Sequence, residues 1–308
     1  MLFFFSLRIE DFAKWPQLQE LKVSNNYLRS LDKTVFDATS DSLRKIDLSN
    51  NQLSSLPRSL FKRNRHLESL ILANNTLTEL PDILFDELPL KELDLSGNFL
   101  TSISSRLLSR LNSLQHLDLS QNEIENLHGQ ALSGLNNLQY LRLDNNRISK
   151  ICKYYFLLHI GSEEEENLRS SFSLHLAKGL LRSCATIQTL VLSDNAITRL
   201  SAQMFANSAS LSHLGLDKNL LEDLPPGLFA NTSNLKVLDL SHNRFSDLPE
   251  AVNASALQNL QSLSLSGNLI GSLGNLRMPS LWRLEVSDNR QVSMYNRRKK
   301  CVLHIDLP

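Results

Sequence analysis

The sequence of 308 residues contains only three cysteines, ten glycines and few aromatic residues, and its net charge is zero. Three cysteines are too few for a small scaffold held together by disulfides. A chain with 32 basic and 32 acidic residues is neither a strongly basic nucleic-acid binder nor an acidic solvating tail. We therefore expect no nucleic-acid partner.

Long apolar runs and catalytic motifs are missing as well. The apolar opening, residues 1–5, is far shorter than the ~20 residues that span a bilayer, and it is too short for the core of a signal peptide. The sequence has no Gly-rich phosphate loop, GxSxG, HExxH or CxxC motif. We expect no enzymatic activity, no cofactor and no metal site.

Leucine and asparagine, by contrast, are abundant, with 66 and 28 copies. They recur in the pattern L-x-x-L-x-L-x-x-N-x-L, for example LQELKVSNNYL from Leu18, LRKIDLSNNQL from Leu43 and LKVLDLSHNRF from Leu235. Eleven copies follow one another, nearly all of them 23 to 25 residues apart. A constant period of this length indicates a repeat protein, here one built from leucine-rich repeats.

The repeat predicts its own architecture. The last two leucines of L-x-x-L-x-L alternate as a short strand that cannot bury its apolar face alone, so neighbouring repeats must stack. Parallel strands need a crossover, which the rest of each repeat supplies. We predict an α/β-type repeat solenoid, a horseshoe with a concave parallel β-sheet and an irregular or short-helical convex side.

Two columns of residues support the stack. One is an asparagine ladder, in which each side-chain amide pairs with backbone groups that would otherwise be buried without partners. Its members are Asn26, Asn51, Asn75, Asn98, Asn122, Asn146, Asn195, Asn219, Asn243, Asn268 and Asn289. The other is an apolar column ten residues further on, comprising Phe36, Phe61, Phe85, Phe156, Phe205 and Phe229, with Leu108 and Leu132.

Motifs such as LDLSNNQLSSLPRSLF and LGLDKNLLEDLPPGLF resemble the 24-residue class of animal extracellular leucine-rich repeats. That class includes Toll-type receptor ectodomains, chaoptin- and connectin-like adhesion proteins and the acid labile subunit. The resemblance covers about 270 residues, and it implies a protein ligand or co-receptor outside the cell, with a membrane anchor beyond this chain. The similar repeats of cytosolic proteins leave an intracellular scaffold or signalling adaptor as the alternative, and a homodimer is a further possibility.

The period divides the chain into five segments. They are the tail of a truncated repeat (1–17), six repeats (18–151), an interruption (152–186), five repeats (187–301) and the start of a truncated repeat (302–308). Solenoids need polar caps over their terminal repeats, and neither cap is present. We therefore expect a fragment of a longer protein, with signal peptide and caps outside the sequence.

The interruption leaves three interpretations open. Cys152 and Cys184 flank it and could close a disulfide loop worth about 3 to 4 kcal/mol on the chain-entropy model. It could equally be a degenerate repeat, since its surplus of about 25 residues is close to one period. A retained intron is the third interpretation.

Candidate ligand contacts lie on the strands, where the x positions of L-x-x-L-x-L face solvent. Tyrosine, tryptophan and arginine are favoured at interface centres. Two aspartates on adjacent strands repel each other, so a cation of a partner would stabilise them. The candidates are His116, Asp118, Tyr140, Arg142, Asp94 and Trp282. Asn74, Asn231 and Asn253 begin N-x-[ST] sequons and are candidate glycosylation sites, which favours an extracellular location mildly.

Overall fold

The computed structural model describes residues 4–128, 130–152, 181, 184–253, 255–274, 276, 278–290 and 302–304. Phe156 and most of the interruption lie outside the described residues, as do the side chains of Cys152 and Asn253. The chain divides into two compact units. Unit 1 comprises Met1–Glu125 and Ala131–Asn146, and unit 2 comprises Asn126–Gln130 and Arg147–Pro308.

Unit 1 is a stack of repeats whose three-residue strands form a parallel sheet. Its strands are β1 (Glu20–Lys22), β2 (Lys45–Asp47), β3 (Ser69–Ile71), β4 (Glu92–Asp94), β5 (His116–Asp118) and, after β6 (Asn126–His128) of unit 2, β7 (Tyr140–Arg142). Each pairs with the next in register, so that equivalent repeat positions lie side by side. We number these positions from the first leucine of L-x-x-L-x-L-x-x-N, which puts the ladder asparagine at position 9.

Unit 2 repeats the same design. Its main sheet contains β9 (Thr189–Val191), β10 (His213–Gly215), β11 (Val237–Asp239), β12 (Ser262–Ser264), β13 (Arg283–Glu285) and β14 (Val302–His304). These strands are also parallel and in register. A separate two-stranded sheet pairs β6 with β8 (Lys150–Cys152). The predicted leucine-rich-repeat solenoid with a parallel sheet is confirmed.

Helices in the described residues are short; the first precedes β1, and the others belong to the returns between strands. They are α1 (Ile9–Phe12), α2 (Ser105–Leu108) and three 3₁₀ segments, Asp37–Thr39, Glu250–Asn253 and Ser255–Leu257. At the start of α2 the Ser104 side chain accepts a hydrogen bond from the backbone N–H of Arg106, which caps an otherwise unpaired donor. In the part of the chain that the structure describes, every helix is too short or too polar to traverse a lipid bilayer.

The core of each unit is a column of leucines with an aromatic stack behind it. From β2 onward the described aliphatic residues at positions 4 and 6 are almost wholly buried, as are all the described members of the phenylalanine column. Phe36 and Phe61 stack with ring centroids 5.9 Å apart, and Phe205 and Phe229 with centroids 6.1 Å apart. Offset stacking of this kind adds to the free energy gained from burial.

The return before Ile187 is built like the other returns. Cys184 donates its backbone N–H to Leu181, and Ile187 donates to Cys184, as Ser208 and Leu211 do in the next repeat. Leu181 is buried six residues before Ile187, at the position that Phe205 occupies before Leu211. Leu181, rather than a phenylalanine, therefore fills the apolar column at this turn.

The asparagine ladder pairs backbone groups within and between repeats. Asn122 donates from Nδ2 to the carbonyls of Leu119, Ser120 and, in the preceding repeat, Leu95, at 3.0 to 3.1 Å. Its Oδ1 accepts from the backbone N–H of Leu100 at 3.0 Å. Because these groups are buried, each ladder asparagine replaces several bonds to water that the strand end has lost.

The ladder also spans the interruption. The Ile148 backbone N–H donates to Oδ1 of Asn195 at 2.9 Å, and Ala196 donates back to the Ile148 carbonyl at 3.0 Å. Ile124 and Asn146 make the first of these contacts 22 residues apart, whereas Ile148 and Asn195 make it 47 residues apart. The turn that contains Ile148 therefore lies directly beside the turn of Asn195.

The residue before each ladder asparagine adopts a left-handed backbone conformation. Position 8 has φ between 51° and 67° in every repeat, and its residues are Asn25, Asn50, Asn74, Gly97, Gln121, Asn145, Asp194, Lys218, His242, Gly267 and Asp288. Asparagine, aspartate and glycine tolerate this region best, which explains most of the choices. Gln121 and Lys218 are less suited to it.

Candidate protein-binding surface

The first unit presents two rows of outward side chains on adjacent strands. Glu92, His116 and Tyr140 stand side by side at position 3 of β4, β5 and β7, and Asp94, Asp118 and Arg142 stand side by side at position 5. Five of the six predicted ligand contacts therefore lie on three neighbouring strands. Glu92, which the sequence interpretation did not single out, completes this surface, and we call the six residues the β4–β7 face.

The aspartates at position 5 are only partly exposed, and each holds the chain at its own strand end. Oδ1 of Asp94 accepts from the backbone N–H of Ser96 at 2.9 Å and from its hydroxyl at 2.6 Å. Asp118 makes the same pair of bonds to Ser120. One carboxylate oxygen of each aspartate thus holds the end of its strand, and the other oxygen takes no part in these bonds.

Arg142 is held by two carboxylates of unequal importance. Its Nε and Nη2 donate to the two oxygens of Asp144 at 2.9 and 2.8 Å, a bidentate pair. Its Nη1 lies 3.4 Å from Oδ2 of Asp118. The Asp144 side chain is only 7% exposed, so Arg142 mainly neutralises a nearly buried charge.

His116 and Tyr140 form the aromatic part of the face. Their ring centroids are 6.0 Å apart with an interplanar angle of 38°, within the range of favourable aromatic pairs. The histidine is exposed and the tyrosine partly buried. The tyrosine ring is therefore held in place by its neighbour while one side remains accessible.

Two pKa shifts follow from this arrangement. Burial raises the pKa of Asp94, with smaller contributions of the same sign from Asp118 and Glu92, while the hydrogen bonds from Ser96 act against it. Hydrogen bonding to Asp144 raises the pKa of Arg142. The face therefore carries a carboxylate that is ionised at a cost, on β4, and a guanidinium that stays charged, two strands away on β7.

The sixth candidate, Trp282, belongs to unit 2, where the strand face has a different character. Trp282 precedes β13, and its side chain is 56% exposed. Position 5 of unit 2 carries mostly small or apolar residues: Val191, Gly215, Asp239, Ser264 and Glu285. Arg283 is paired with Glu285 at 2.6 Å, so the charges near Trp282 are mutually neutralised.

The sequons differ in their surroundings. Asn74 is exposed, but it has the left-handed conformation of position 8, and its amide packs against Gly97 of the next repeat. Asn231 is exposed in a return, where its Nδ2 donates to the Ala206 carbonyl at 3.0 Å. Ser233, the hydroxyl residue of that sequon, is exposed as well. The surroundings of Asn231 offer more room for a glycan.

The Cys184 side chain has no exposed surface, and burial raises the pKa of its thiol to about 12. A thiol with so high a pKa is unreactive at neutral pH, because the thiolate is the reacting species. The Cys152 side chain lies outside the described residues, so the Cys152–Cys184 bridge stays a prediction. In the part of the chain that the structure describes, no three His, Cys, Asp or Glu residues are grouped as metal ligands.

Sequence reasoning missed several contacts that shape the surface. The Asp–Ser bonds could have been predicted, because the tripeptide D-L-S recurs at positions 5 to 7 of four repeats. The aspartates of these tripeptides are Asp47, Asp94, Asp118 and Asp239. A second set of asparagines just before position 1 donates to the preceding repeat, as Asn137 does to Asn112 and Asn234 to Ala209. The Arg142–Asp144 pair had no periodic signal.

Comparisons with known proteins agree with this architecture. The family model described as leucine rich repeat matches residues 41–98, 89–148, 167–221 and 209–270. No curated protein matches significantly. A chain from the structure of the Toll–Spatzle complex of Drosophila is similar, with a TM-score of 0.74 and 23% identity over 98% of this chain and 42% of that one.

Two further solved structures share the fold. The leucine-rich repeat domain of APL1B has a TM-score of 0.64 and 24% identity over 96% of this chain and 86% of that one. A chain of the LRIM1/APL1C complex has a TM-score of 0.61 and 22% identity over 93% and 55%. The chain thus spans about two fifths of the Toll-complex chain and about half of the LRIM1/APL1C chain. With the family model matching most of its length, the chain belongs to the leucine-rich repeat family.

Proposed function

We propose that the chain is a non-catalytic protein-recognition module of an extracellular receptor or cell-adhesion protein, and that it binds a protein partner through the exposed faces of its parallel sheets. The observation that carries this proposal is the contrast between positions. Positions 4, 6 and 9 hold nearly the same residues in every repeat, whereas positions 3 and 5 vary and stand side by side in register. Stacked repeats use such extended faces for binding.

The structural relatives support the binding of a protein partner. The Toll–Spatzle and LRIM1/APL1C structures are complexes by their own descriptions, and both contain chains with this fold. Exposed Asn231 in its sequon supports an extracellular location, where glycosylation occurs.

Location is tested by a non-reducing tryptic mass map of the native protein, recorded with and without enzymatic deglycosylation. We expect a glycan on Asn231 or Asn253, which places the chain outside the cell. Unmodified asparagines together with free thiols at Cys152 and Cys184 would contradict that location and favour the intracellular scaffold.

Binding through the strand face is tested by photo-crosslinking. A photoreactive phenylalanine analogue replaces Tyr140 on the face in one variant and exposed Lys62 in a return in the other. After illumination in extracellular fluid from the source, the Tyr140 variant should yield one specific adduct and the Lys62 variant none. An adduct at Lys62 alone, or none at either site, would overturn strand-face binding, and an adduct with a second copy would make the partner this chain itself.

A further inference from the structure

The β4–β7 face carries an uneven charge. It presents three carboxylates, Glu92, Asp94 and Asp118, against one guanidinium, Arg142. The adjacent strand β3 is uncharged at the same two positions, and β1 and β2 beyond it are balanced, with Lys22 and Lys45 beside Glu20 and Asp47. The negative excess of unit 1's strand face is therefore concentrated on β4 and β5.

Asp94 is less compensated than Asp118, which Arg142 approaches. Within the contacts of the described residues, the only hydrogen bonds to its carboxylate come from Ser96, and both end on Oδ1. Its neighbours across the sheet are Asp118 on one side and Ile71 on the other. No cation of unit 1 therefore pairs with Asp94, although it is partly removed from water.

Arg142 does not provide the missing cation. It makes two short bonds to Asp144, and it reaches only Asp118 across the sheet, at 3.4 Å. A guanidinium fixed by a nearly buried carboxylate is not free to move one strand further. The second carboxylate oxygen of Asp94 therefore receives no bond from Arg142, and the neighbour of Asp94 on β5 is Asp118.

The adjacent row, at position 3, offers an aromatic surface for the aliphatic stem of a lysine or arginine from a partner. His116 and Tyr140 lie in the same row as Glu92, at position 3, which is two residues along each strand from the row of aspartates. Their rings pack together. The aliphatic stems of lysine and arginine bury well against rings, and a guanidinium is also attracted to a ring face. The face thus combines uncompensated negative charge with an accessible aromatic pair.

We propose that the β4–β7 face docks an extended basic segment of the protein partner, with a lysine or arginine placed between Asp94 and Asp118 and its stem against His116 and Tyr140. This rests on the proposed function, because it specifies the partner of the same strand face. Charge complementarity of this kind selects partners and speeds their encounter. Binding should weaken as salt concentration rises, because exposed charges are screened.

The chain provides a matched control for Asp94. Asp47 occupies position 5 of β2 and makes the same two bonds, to Ser49 at 2.9 and 2.6 Å. Its neighbour across the sheet is Lys22, where Asp94 has Asp118. Asparagine retains the accepting oxygen in both places, so Asp94→Asn and Asp47→Asn each remove one charge and keep the strand end intact.

The experiment measures fluorescence polarisation of a labelled peptide of alternating glycine and arginine with the purified full chain, and of a glycine–glutamate peptide as its counterpart. We expect the arginine peptide to bind and the glutamate peptide not to bind. Asp94→Asn should weaken binding about five-fold and Asp47→Asn less than about two-fold, the scale of one partly exposed charge pair. Tyr140→Ala should weaken it as well, while Lys62→Ala leaves it unchanged.

Equal effects of Asp94→Asn and Asp47→Asn would show that net charge alone attracts the peptide, and they would overturn the proposal. So would equal binding of both peptides, or no binding of either. A Tyr140 photo-adduct combined with an unaffected Asp94→Asn variant would leave strand-face recognition standing and remove only the basic partner. Loss of the photo-adduct itself would remove the proposed function.

Discussion

In unit 1 the fifth repeat position carries Asp94, Asp118 and Arg142, and in unit 2 the same position carries Val191, Gly215 and Ser264. Behind those strands the two units are alike. Ladder asparagines bind equivalent backbone groups, and phenylalanine pairs stack with centroids 5.9 and 6.1 Å apart. This frame of ladder asparagines and buried apolar residues depends on repeat position alone, whereas the outward strand face differs from one repeat to the next. Information about partners therefore resides in the faces.

The sharpest test of an equivalent frame is to remove one ladder asparagine from each unit. Asn122 and Asn219 each donate to three carbonyls and accept from one backbone N–H. Changing either to alanine leaves buried polar groups unpaired, so the free energy of unfolding should fall by about 3 kcal/mol or more. Urea denaturation measures both variants, and costs that differ by more than about 2 kcal/mol would show that the units are not equivalent.

The frame was the part that the sequence could predict. A fixed period states which side chains point inward, so the leucines, the ladder asparagines and most of the apolar column follow from spacing. Partner choice on the face does not follow, because Arg142 can reach both Asp118 and Asp144 and the period ranks neither. Its pairing depends on rotamers and on the burial of Asp144, which only the folded neighbours define.

The apolar column shows a second limit of spacing. Counting from Asn146 places Phe156 in the column, yet the buried residue six positions before Ile187 is Leu181. Both Phe156, counted forward from Asn146, and Leu181, counted back from Ile187, fit the period. The reason is that the interruption is longer than an ordinary return by about one repeat. A sequence with two residues in register cannot by itself decide which one packs before the next strand.

A smaller effect is expected at position 8, where each unit has one residue poorly suited to its backbone. Gln121 has φ 53° in unit 1 and Lys218 has φ 51° in unit 2. Asparagine tolerates this region better, so Gln121→Asn and Lys218→Asn should each raise the free energy of unfolding by about 0.5 to 1 kcal/mol. Asn50→Lys, at φ 54°, is the reverse substitution and should lower it by a similar amount in urea denaturation. A loss of stability in either asparagine variant would mean that side-chain contacts outweigh backbone preference there.

A still smaller effect compares one half-buried aspartate of each unit through the pH dependence of stability. Burial is the main cause that raises the pKa of Asp94 in unit 1 and of Asp217 in unit 2. A carboxyl whose pKa is higher in the folded than in the unfolded state costs stability when ionised, and that cost disappears as pH falls through the folded pKa.

Asp94→Asn and Asp217→Asn should therefore raise the free energy of unfolding at pH 7 by about 0.5 kcal/mol, a modest figure because solvent screens partly exposed charges. The gain should shrink toward zero as pH falls below the raised pKa, where the wild-type carboxyl is itself neutral. Urea unfolding at pH 7 and at lower pH measures it. A gain that grows on acidification would contradict the sign of both pKa shifts.

The smallest effect is expected from the interruption, where unit 2 departs most from the common period. Ile148 donates directly to Asn195, so these two turns are bonded to each other although 47 residues separate Ile148 from Asn195 in sequence. Deleting residues 157–181 would restore a spacing of 24 residues between Asn146 and Asn195 and set Phe156 six residues before Ile187, the place now filled by Leu181.

Because halving a loop recovers only about 0.6 kcal/mol of closure entropy, the deletion should leave the free energy of unfolding unchanged within about 1 kcal/mol. Replacing 157–180 with an equally long Gly–Ser segment, which keeps buried Leu181, is the matched control, and circular dichroism with urea denaturation compares the two. If the deletion variant unfolds while the Gly–Ser variant folds, the length of this turn is required. If both unfold, residues 157–180 themselves contribute to the core, as a degenerate repeat would.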